Sequence, residues 1–145
     1  MAKELTIFYT DDDQEDVEFF REVVQIIDSK KYIVVAQNNG EQLLHALQNP
    51  PPHPYIVFLD INMPGMNGLE TLKKVRTTIN NKYLPVIMFS TSKDDLTIEE
   101  SRKLGANLYV PKPGMFNQLK KSIEDVLRIN WPDFIPTKDN FLYSS

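Results

Sequence analysis

Short apolar runs alternate with amphipathic ones along most of the chain. Five of the apolar runs are rich in β-branched and aromatic residues, and several are apolar at nearly every position. They are LTIFYT (5–10), YIVVAQ (32–37), YIVFLD (55–60), LPVIMFS (84–90) and NLYVPK (107–112). Such runs are typical of strands in a parallel sheet that is covered on both faces. They therefore predict five strands of a parallel sheet.

Helical patterns lie between these runs. Apolar residues recur at helical spacing in three segments, namely Val17, Phe20, Val24 and Ile27, then Leu69, Leu72, Val75 and Ile79, then Phe116, Leu119, Ile123 and Val126. Residues 40–48 predict a shorter helix, which the following prolines end, and residues 94–105 predict a less regular helix that ends at Gly105. Strands that alternate with helices pair in parallel through right-handed crossovers. The order therefore predicts a doubly wound α/β fold.

The last residues, 130–145, depart from the pattern because prolines interrupt any helix and aromatic residues are frequent. The segment is far shorter than the roughly 50 residues that a domain usually needs. We therefore predict one domain over residues 4–129 and a C-terminal extension over 130–145. Either Trp131 and Phe134 pack back on the domain, or the extension is a docking segment for a dimer or a partner.

Composition narrows the class of protein. With 145 residues, 41% hydrophobic and 25% charged, the chain is typical of one globular domain. The net charge of -4 argues against direct nucleic-acid binding. The absence of cysteine excludes disulfides and thiolate metal sites and fits a reducing compartment. No apolar run approaches the roughly 18 residues that span a bilayer and no signal peptide is recognisable, so we expect a cytoplasmic protein without membrane insertion.

Polar and charged residues follow four of the five predicted strands at their carboxyl ends, where ligands bind in open α/β sheets. They are Asp11, Asp12 and Asp13 after the first strand, Asp60 after the third, Ser90 and Thr91 after the fourth, and Lys112 after the fifth. A single Asp or Ser in such a place is more often a helix cap or a turn residue. Caps and turns alone would have to account for all of these polar residues at the same edge of the sheet, which is the weaker explanation. We therefore predict a site built from carboxylates, hydroxyls and a lysine.

The chemistry of this set is coherent. Carboxylates without histidine or cysteine select Mg²⁺ or Mn²⁺ over zinc. A carboxylate beside such an ion can attack phosphorus and form an aspartyl phosphate, whose oxygens the ion and the lysine neutralise.

Two histidines, His45 and His53, are predicted to be surface residues.

Local signals assign other polar residues to helix ends and turns. Asp13 is predicted to cap the first helix, with Glu15 and Asp16 in its first turn, where acidic residues suit the helix dipole. In the loop after Asp60, Pro64 and Gly65 fit a type II turn. Asn67 and Glu70 then fit a capping box at the start of the third helix.

Together these motifs resemble the receiver domains of two-component response regulators. The matching pieces are the acidic pair Asp11 and Asp12, LDINMPGMNG after the third strand, Ser90 with Thr91, and Lys112 with Pro113, over about residues 4–129. The resemblance implies a flavodoxin-like, CheY-like sheet of strand order 2-1-3-4-5. It further implies that Asp60 accepts a phosphoryl group from a phosphohistidine by self-catalysed transfer, with autodephosphorylation, rather than turnover as an enzyme.

The resemblance also implies roles for individual residues. Mg²⁺, or Mn²⁺, would be held by Asp12, Asp60 and the Asn62 carbonyl, and by Asp11 through water. Lys112, Ser90 and the backbone amides of Asn62 and Thr91 would hold the phosphoryl group. Ser90 and Tyr109 would be a switch pair, Asn62 and Ser92 would tune dephosphorylation, and the peptide bond between Lys112 and Pro113 would be cis.

The implied partners are a sensor histidine kinase or a histidine phosphotransfer protein, and a downstream protein target. We expect a stand-alone regulator, monomeric or weakly dimeric, that signals by phosphorylation-dependent binding or relays the phosphoryl group. One alternative is a Mg²⁺-dependent phosphatase or phosphotransferase with an aspartate nucleophile, although the nucleophile in the haloacid-dehalogenase type ends the first strand. Another alternative is a receiver-like adaptor that is never phosphorylated, which the complete set of site residues disfavours.

Overall fold

The computed structural model describes residues 4–144, in which five strands alternate with five α-helices. The strands are β1 (Leu5–Thr10), β2 (Tyr32–Gln37), β3 (Tyr55–Leu59), β4 (Val86–Ser90) and β5 (Leu108–Pro111). The helices are α1 (Gln14–Asp28), α2 (Gly40–Gln48), α3 (Gly68–Thr77), α4 (Asp95–Lys103) and α5 (Phe116–Leu127). All strand pairs are parallel and the order is β2-β1-β3-β4-β5, which confirms the predicted fold.

The sheet separates two apolar cores, because successive residues of a strand point to opposite faces. Ile7 and Tyr9 of β1 pack with residues of α1 and α5 on one face. Phe8 packs on the other face with residues of α2 and α3, such as Leu43 and Leu72. Helix α4 buries only Ser101 completely, in line with its less regular pattern. No helix within residues 4–144 is long and apolar enough to cross a bilayer.

The helix ends follow the local signals, with one correction. The Asp13 side chain accepts hydrogen bonds from the first turn of α1, and Asn67 and Glu70 form the predicted capping box. Gly65 and Gly105 have φ values of 73° and 101°, which favour glycine. The prediction that Ile79 belongs to the third helix is wrong. Helix α3 ends at Thr77, the next residue is extended, and a short 3-10 helix follows over Ile79–Asn81.

The C-terminal extension packs against the domain. The Tyr109 N–H donates to the Phe141 carbonyl (2.9 Å) and the Tyr143 N–H donates to the Tyr109 carbonyl (2.9 Å), so residues 141–143 pair with β5. Phe141 is only 2% exposed. Trp131 and Phe134 pack against the core on the α1 and α5 side, as the first of the two interpretations predicts. The boundary at residues 129 and 130 stays a prediction, and residue 145 lies outside the described range.

Candidate functional site

Three carboxylates meet at the carboxyl edge of the sheet. Strands β1 and β3 are neighbours, so the residues that follow them, Asp11 and Asp60, lie side by side. One oxygen from each of these residues and one from Asp12 all lie within 4.8 Å of one another. Asp11 and Asp60 are buried, whereas Asp12 is exposed and opens the cluster to solvent. Like charges this close repel strongly when they are shielded from water, so the cluster favours a cation.

Lys112 supplies one positive charge to this cluster. Its Nζ lies 2.7 Å from Asp11 Oδ2, 3.0 Å from Asp16 Oδ2 and 3.6 Å from Asp60 Oδ1. The Lys112 N–H donates to the Ser90 carbonyl (2.8 Å), which fixes the start of the side chain beside β4. In the described part of the chain the one cis peptide bond joins His53 and Pro54, so the prediction of a cis bond after Lys112 is wrong. The long lysine side chain reaches the carboxylates from a trans bond.

A second part of the site, which we call the hydroxyl side, consists of Ser90 and Ser92 at and after the end of β4 and of Asn62 in the loop after β3. Ser90 is completely buried, and its Oγ accepts a hydrogen bond from the Ser92 N–H (3.2 Å). The Asn62 side chain donates to Ser92 Oγ (3.3 Å), so the two predicted tuning residues are in contact. A Cβ at Gly68 would collide with the Asp60 carbonyl oxygen, so this glycine lets α3 begin directly against the strand end that presents Asp60.

Tyr109 lies inside the protein. Its side chain is completely buried, and its hydroxyl donates to the Ser92 carbonyl (2.8 Å). Both predicted switch residues, Ser90 and Tyr109, therefore bond to Ser92. This contact links the hydroxyl side of the site to β5.

Comparison with known proteins decides the family. The model of the family described as "Response regulator receiver domain" matches residues 7–124. The chain belongs to this family. This receiver domain is 31% identical to the transcriptional regulatory protein CpxR of Escherichia coli (strain K12) over 135 residues, covering 92% of the chain and 54% of CpxR. The chain spans about half, or less, of the length of the curated relatives that it matches.

Solved structures show the same fold. The receiver domain superposes on the phosphorylated cyanobacterial phytochrome response regulator RcpA with a TM-score of 0.79 at 23% identity, covering 92% of this chain and 97% of RcpA. It superposes on the Mn²⁺-bound form of response regulator Rcp1 with a TM-score of 0.74 at 23% identity, covering 90% and 96% of the two chains. In this receiver domain of two-component signalling, the three aspartates form the acidic pocket typical of the family's phosphoacceptor site.

Three contacts at the site of the receiver domain were not predicted from the sequence. The Tyr9 hydroxyl donates to Asp11 Oδ2 (3.1 Å), and Asp16, which was assigned only to the helix dipole, contacts Lys112. The Asp13 N–H donates to Asp11 Oδ1 (3.0 Å), so both oxygens of Asp11 accept hydrogen bonds. The sequence places Asp16 in the first turn of α1, but no local pattern states that this turn faces Lys112.

The environment shifts the protonation of two site residues. Burial, reinforced by the charge of Asp11 and partly opposed by Lys112, raises the pKa of Asp60 to about 6. Burial acts to lower the pKa of Lys112, but the hydrogen bond to Asp11 and the charges of Asp60 and Asp11 outweigh it, so the pKa lies above its usual value. Lys112 is therefore fully charged at neutral pH, whereas the charge of Asp60 is costly to bury.

The raised pKa of Asp60 gives a pH-dependent stability. A carboxyl group whose folded pKa exceeds its unfolded value stabilises the fold below the unfolded pKa, and this stabilisation is lost as the pH rises through about 6. In a chelator, we expect acidification from about pH 7 to about pH 5 to add about 1 kcal/mol to the free energy of unfolding. Urea unfolding of the wild type and of Asp60→Asn at both pH values measures the effect. An equal pH response in the two proteins would contradict the shift.

An apolar groove of about 510 Å³ lies beside the site, between α1 and the start of α5. Its lining includes Asp16 and Lys112 together with three exposed apolar side chains, Phe19 (49% exposed), Met115 (65%) and Phe116 (41%). Several exposed apolar side chains that line one groove are typical of a binding surface. The two histidines lie elsewhere and are exposed, as predicted, with His53 stacked on Tyr55.

Proposed function

We propose that this receiver domain accepts a phosphoryl group on Asp60 from the phosphohistidine of a partner protein. The main support is the buried Asp60 carboxylate, which lies 3.6 Å from the Lys112 ammonium and within a cluster of three carboxylates. In the reaction an Asp60 oxygen forms a bond to phosphorus while the bond from phosphorus to the histidine nitrogen breaks. The imidazole leaves and takes up a proton from solvent.

The residues of the acidic pocket fit a divalent cation. The donors are oxygens alone, which suit Mg²⁺ and also Mn²⁺. We assign direct contacts to Asp12, Asp60 and the Asn62 carbonyl. Asp11 would contribute through water, which is consistent with its two oxygens already accepting hydrogen bonds. When bound, the ion supplies positive charge for the phosphoryl oxygens.

Phosphoryl binding, control of dephosphorylation and the switch are assigned to side chains and backbone amides of the protein itself. Lys112 would donate to one phosphoryl oxygen and Ser90 to another, with the backbone amides of Asn62 and Thr91 completing the set. Asn62 and Ser92 stand two residues beyond Asp60 and Ser90, and their side chains are in contact, so together they would set the rate of autodephosphorylation. Ser90 and Tyr109 would act as the switch, because both are bonded to Ser92 and so respond to the same movement.

Divalent metal is expected to stabilise the fold. Binding to the folded state alone adds about 1.4 kcal/mol at a tenfold excess over the dissociation constant. For a chain of this length, that corresponds to a rise of about 3–6 °C in Tm. Thermal unfolding with Mg²⁺ and with a chelator measures the rise, which Asp12→Asn should lose and Asp13→Asn should keep. A Tm indifferent to millimolar Mg²⁺ would argue against the metal site.

A receiver domain implies partners of the histidine kinase type and downstream targets. We propose that a sensor kinase or histidine phosphotransfer protein covers the groove formed by Phe19, Met115 and Phe116, so that its phosphohistidine faces Asp60. The chain would then signal by binding a downstream protein or pass the phosphoryl group on. The cysteine-free composition fits a cytoplasmic relay.

Incubation with Mg²⁺ and acetyl phosphate or a phosphohistidine protein, followed by measurement of the intact mass, tests the proposal. One labile phosphoryl adduct is expected. Turnover of many phosphate esters would support the phosphatase alternative instead. A chain that takes up no phosphoryl group from any donor would support the adaptor alternative.

A further inference from the structure

Asp16 is a fourth carboxylate at the site, and it lies outside the cluster that would hold the metal. It belongs to the first turn of α1, and its Oδ2 lies 3.0 Å from Lys112 Nζ. Its side chain is 37% exposed, whereas that of Lys112 is 10% exposed. Asp16 is not among the three carboxylates that could hold a cation, so a bound cation would not directly compensate its charge.

Lys112 therefore has a competitor for the phosphoryl group. An ammonium group has three N–H donors, of which one goes to Asp11 and one to Asp16. The distance to Asp60, 3.6 Å, is too long for a hydrogen bond. Any phosphoryl oxygen on Asp60 must attract an ammonium group that two carboxylates already hold.

Asp16 also lines the groove through which a phosphodonor would reach Asp60. It lines the groove together with Thr91 and Lys112, two residues that would contact the phosphoryl group. The exposed carboxylates of Asp12 and Asp13 lie on the same side of the sheet edge. An anionic phosphodonor that enters from solvent meets negative charge before it meets Lys112.

We propose that Asp16 is a positioning residue that holds part of the Lys112 charge and thereby slows phosphorylation by small anionic donors. This inference rests on Asp60 being the phosphoacceptor. A protein donor makes contacts along the apolar groove that offset the repulsion, whereas acetyl phosphate has no such contacts. Asp16 thus favours phosphorylation by a docked protein over phosphorylation by small metabolites of the acyl phosphate class.

The test compares Asp16→Asn with the matched control Glu15→Gln, which removes the same charge from the same helix turn at an exposed position. The second-order rate of phosphorylation is measured with acetyl phosphate and with phosphoramidate, which is less negative at neutral pH. We expect Asp16→Asn to react about threefold to tenfold faster with acetyl phosphate at low salt. The gain should be smaller with phosphoramidate and should shrink at high salt. Asp16→Glu, which keeps the charge, should keep the wild-type rate.

A rate for Asp16→Asn that is equal to or below that of Glu15→Gln would overturn the inference. An equal, salt-independent gain with both donors would also overturn it, because charge would then not be the cause. The Mg²⁺-dependent rise in Tm shows that each variant is folded. If the wild type takes up no phosphoryl group from either donor, the proposed function fails, which is a different outcome from an unchanged rate in Asp16→Asn.

Discussion

Asp60→Asn is expected to abolish phosphorylation while the fold remains intact. The amide has almost the shape of the carboxylate, but it lacks the anionic oxygen that attacks phosphorus. The yield of phosphoryl adduct after incubation with Mg²⁺ and acetyl phosphate should fall by at least about a hundredfold. Because the substitution also removes a buried charge from the cluster, the metal-free variant should be at least as stable as the wild type near neutral pH.

Asp13→Asn is the matched control for this experiment. It removes the same charge two residues after Asp11, and asparagine caps a helix as well as aspartate does. We expect the control to form the adduct with the wild-type yield. An undiminished adduct in Asp60→Asn would place the phosphoacceptor on another residue.

Phe141→Ala is expected to destabilise the domain strongly, although residue 141 belongs to the C-terminal extension. The side chain is 2% exposed, belongs to the core beneath α2 and α3, and packs against Tyr109 with ring centroids 6.5 Å apart. Removal of a buried phenylalanine ring costs about 3–5 kcal/mol. The Tm should therefore fall by roughly 6–15 °C, measured by thermal unfolding with circular dichroism.

Leu142→Ala controls for a general effect of the extension, because Leu142 is the adjacent residue and is 47% exposed. We expect this variant to lose less than about 1 kcal/mol. Truncation after Asn130 should cost at least as much as Phe141→Ala, since it also removes the two hydrogen bonds to Tyr109. Unchanged stability and an unchanged oligomeric state in the truncated chain would contradict both interpretations of the extension.

The features that could be predicted from the sequence are those that follow from local residue patterns and from the parallel order of the strands. The strands were recognisable because both faces of the sheet are covered, which makes runs such as Tyr55–Leu59 apolar throughout. The cap at Asp13 followed from an acidic residue before a helical pattern. The convergence of Asp11, Asp60 and Lys112 followed from one rule, that parallel strands present their carboxyl ends at one edge.

What escaped prediction depends on contacts between distant parts of the chain. Asp16 and Lys112 are separated by 96 positions, and no local pattern states which turn of α1 faces the end of β5. The prolines of the extension indicated irregular structure but not its partner, since pairing with Tyr109 depends on the three-dimensional path. The end of α3 before Ile79 was missed because apolar spacing alone does not mark the extended residue Thr78.

The pairing of residues 141–143 with β5 also protects the sheet. An edge strand presents free N–H and C=O groups that can recruit another chain and start aggregation. At the β5 edge, both main-chain groups of Tyr109 are bonded to the extension. At the opposite edge, the Arg21 guanidinium donates to the Val34 carbonyl of β2 (3.2 Å). Release of the extension would expose Phe141 and an unpaired strand together, and would turn a closed edge into an acceptor for a strand from another molecule.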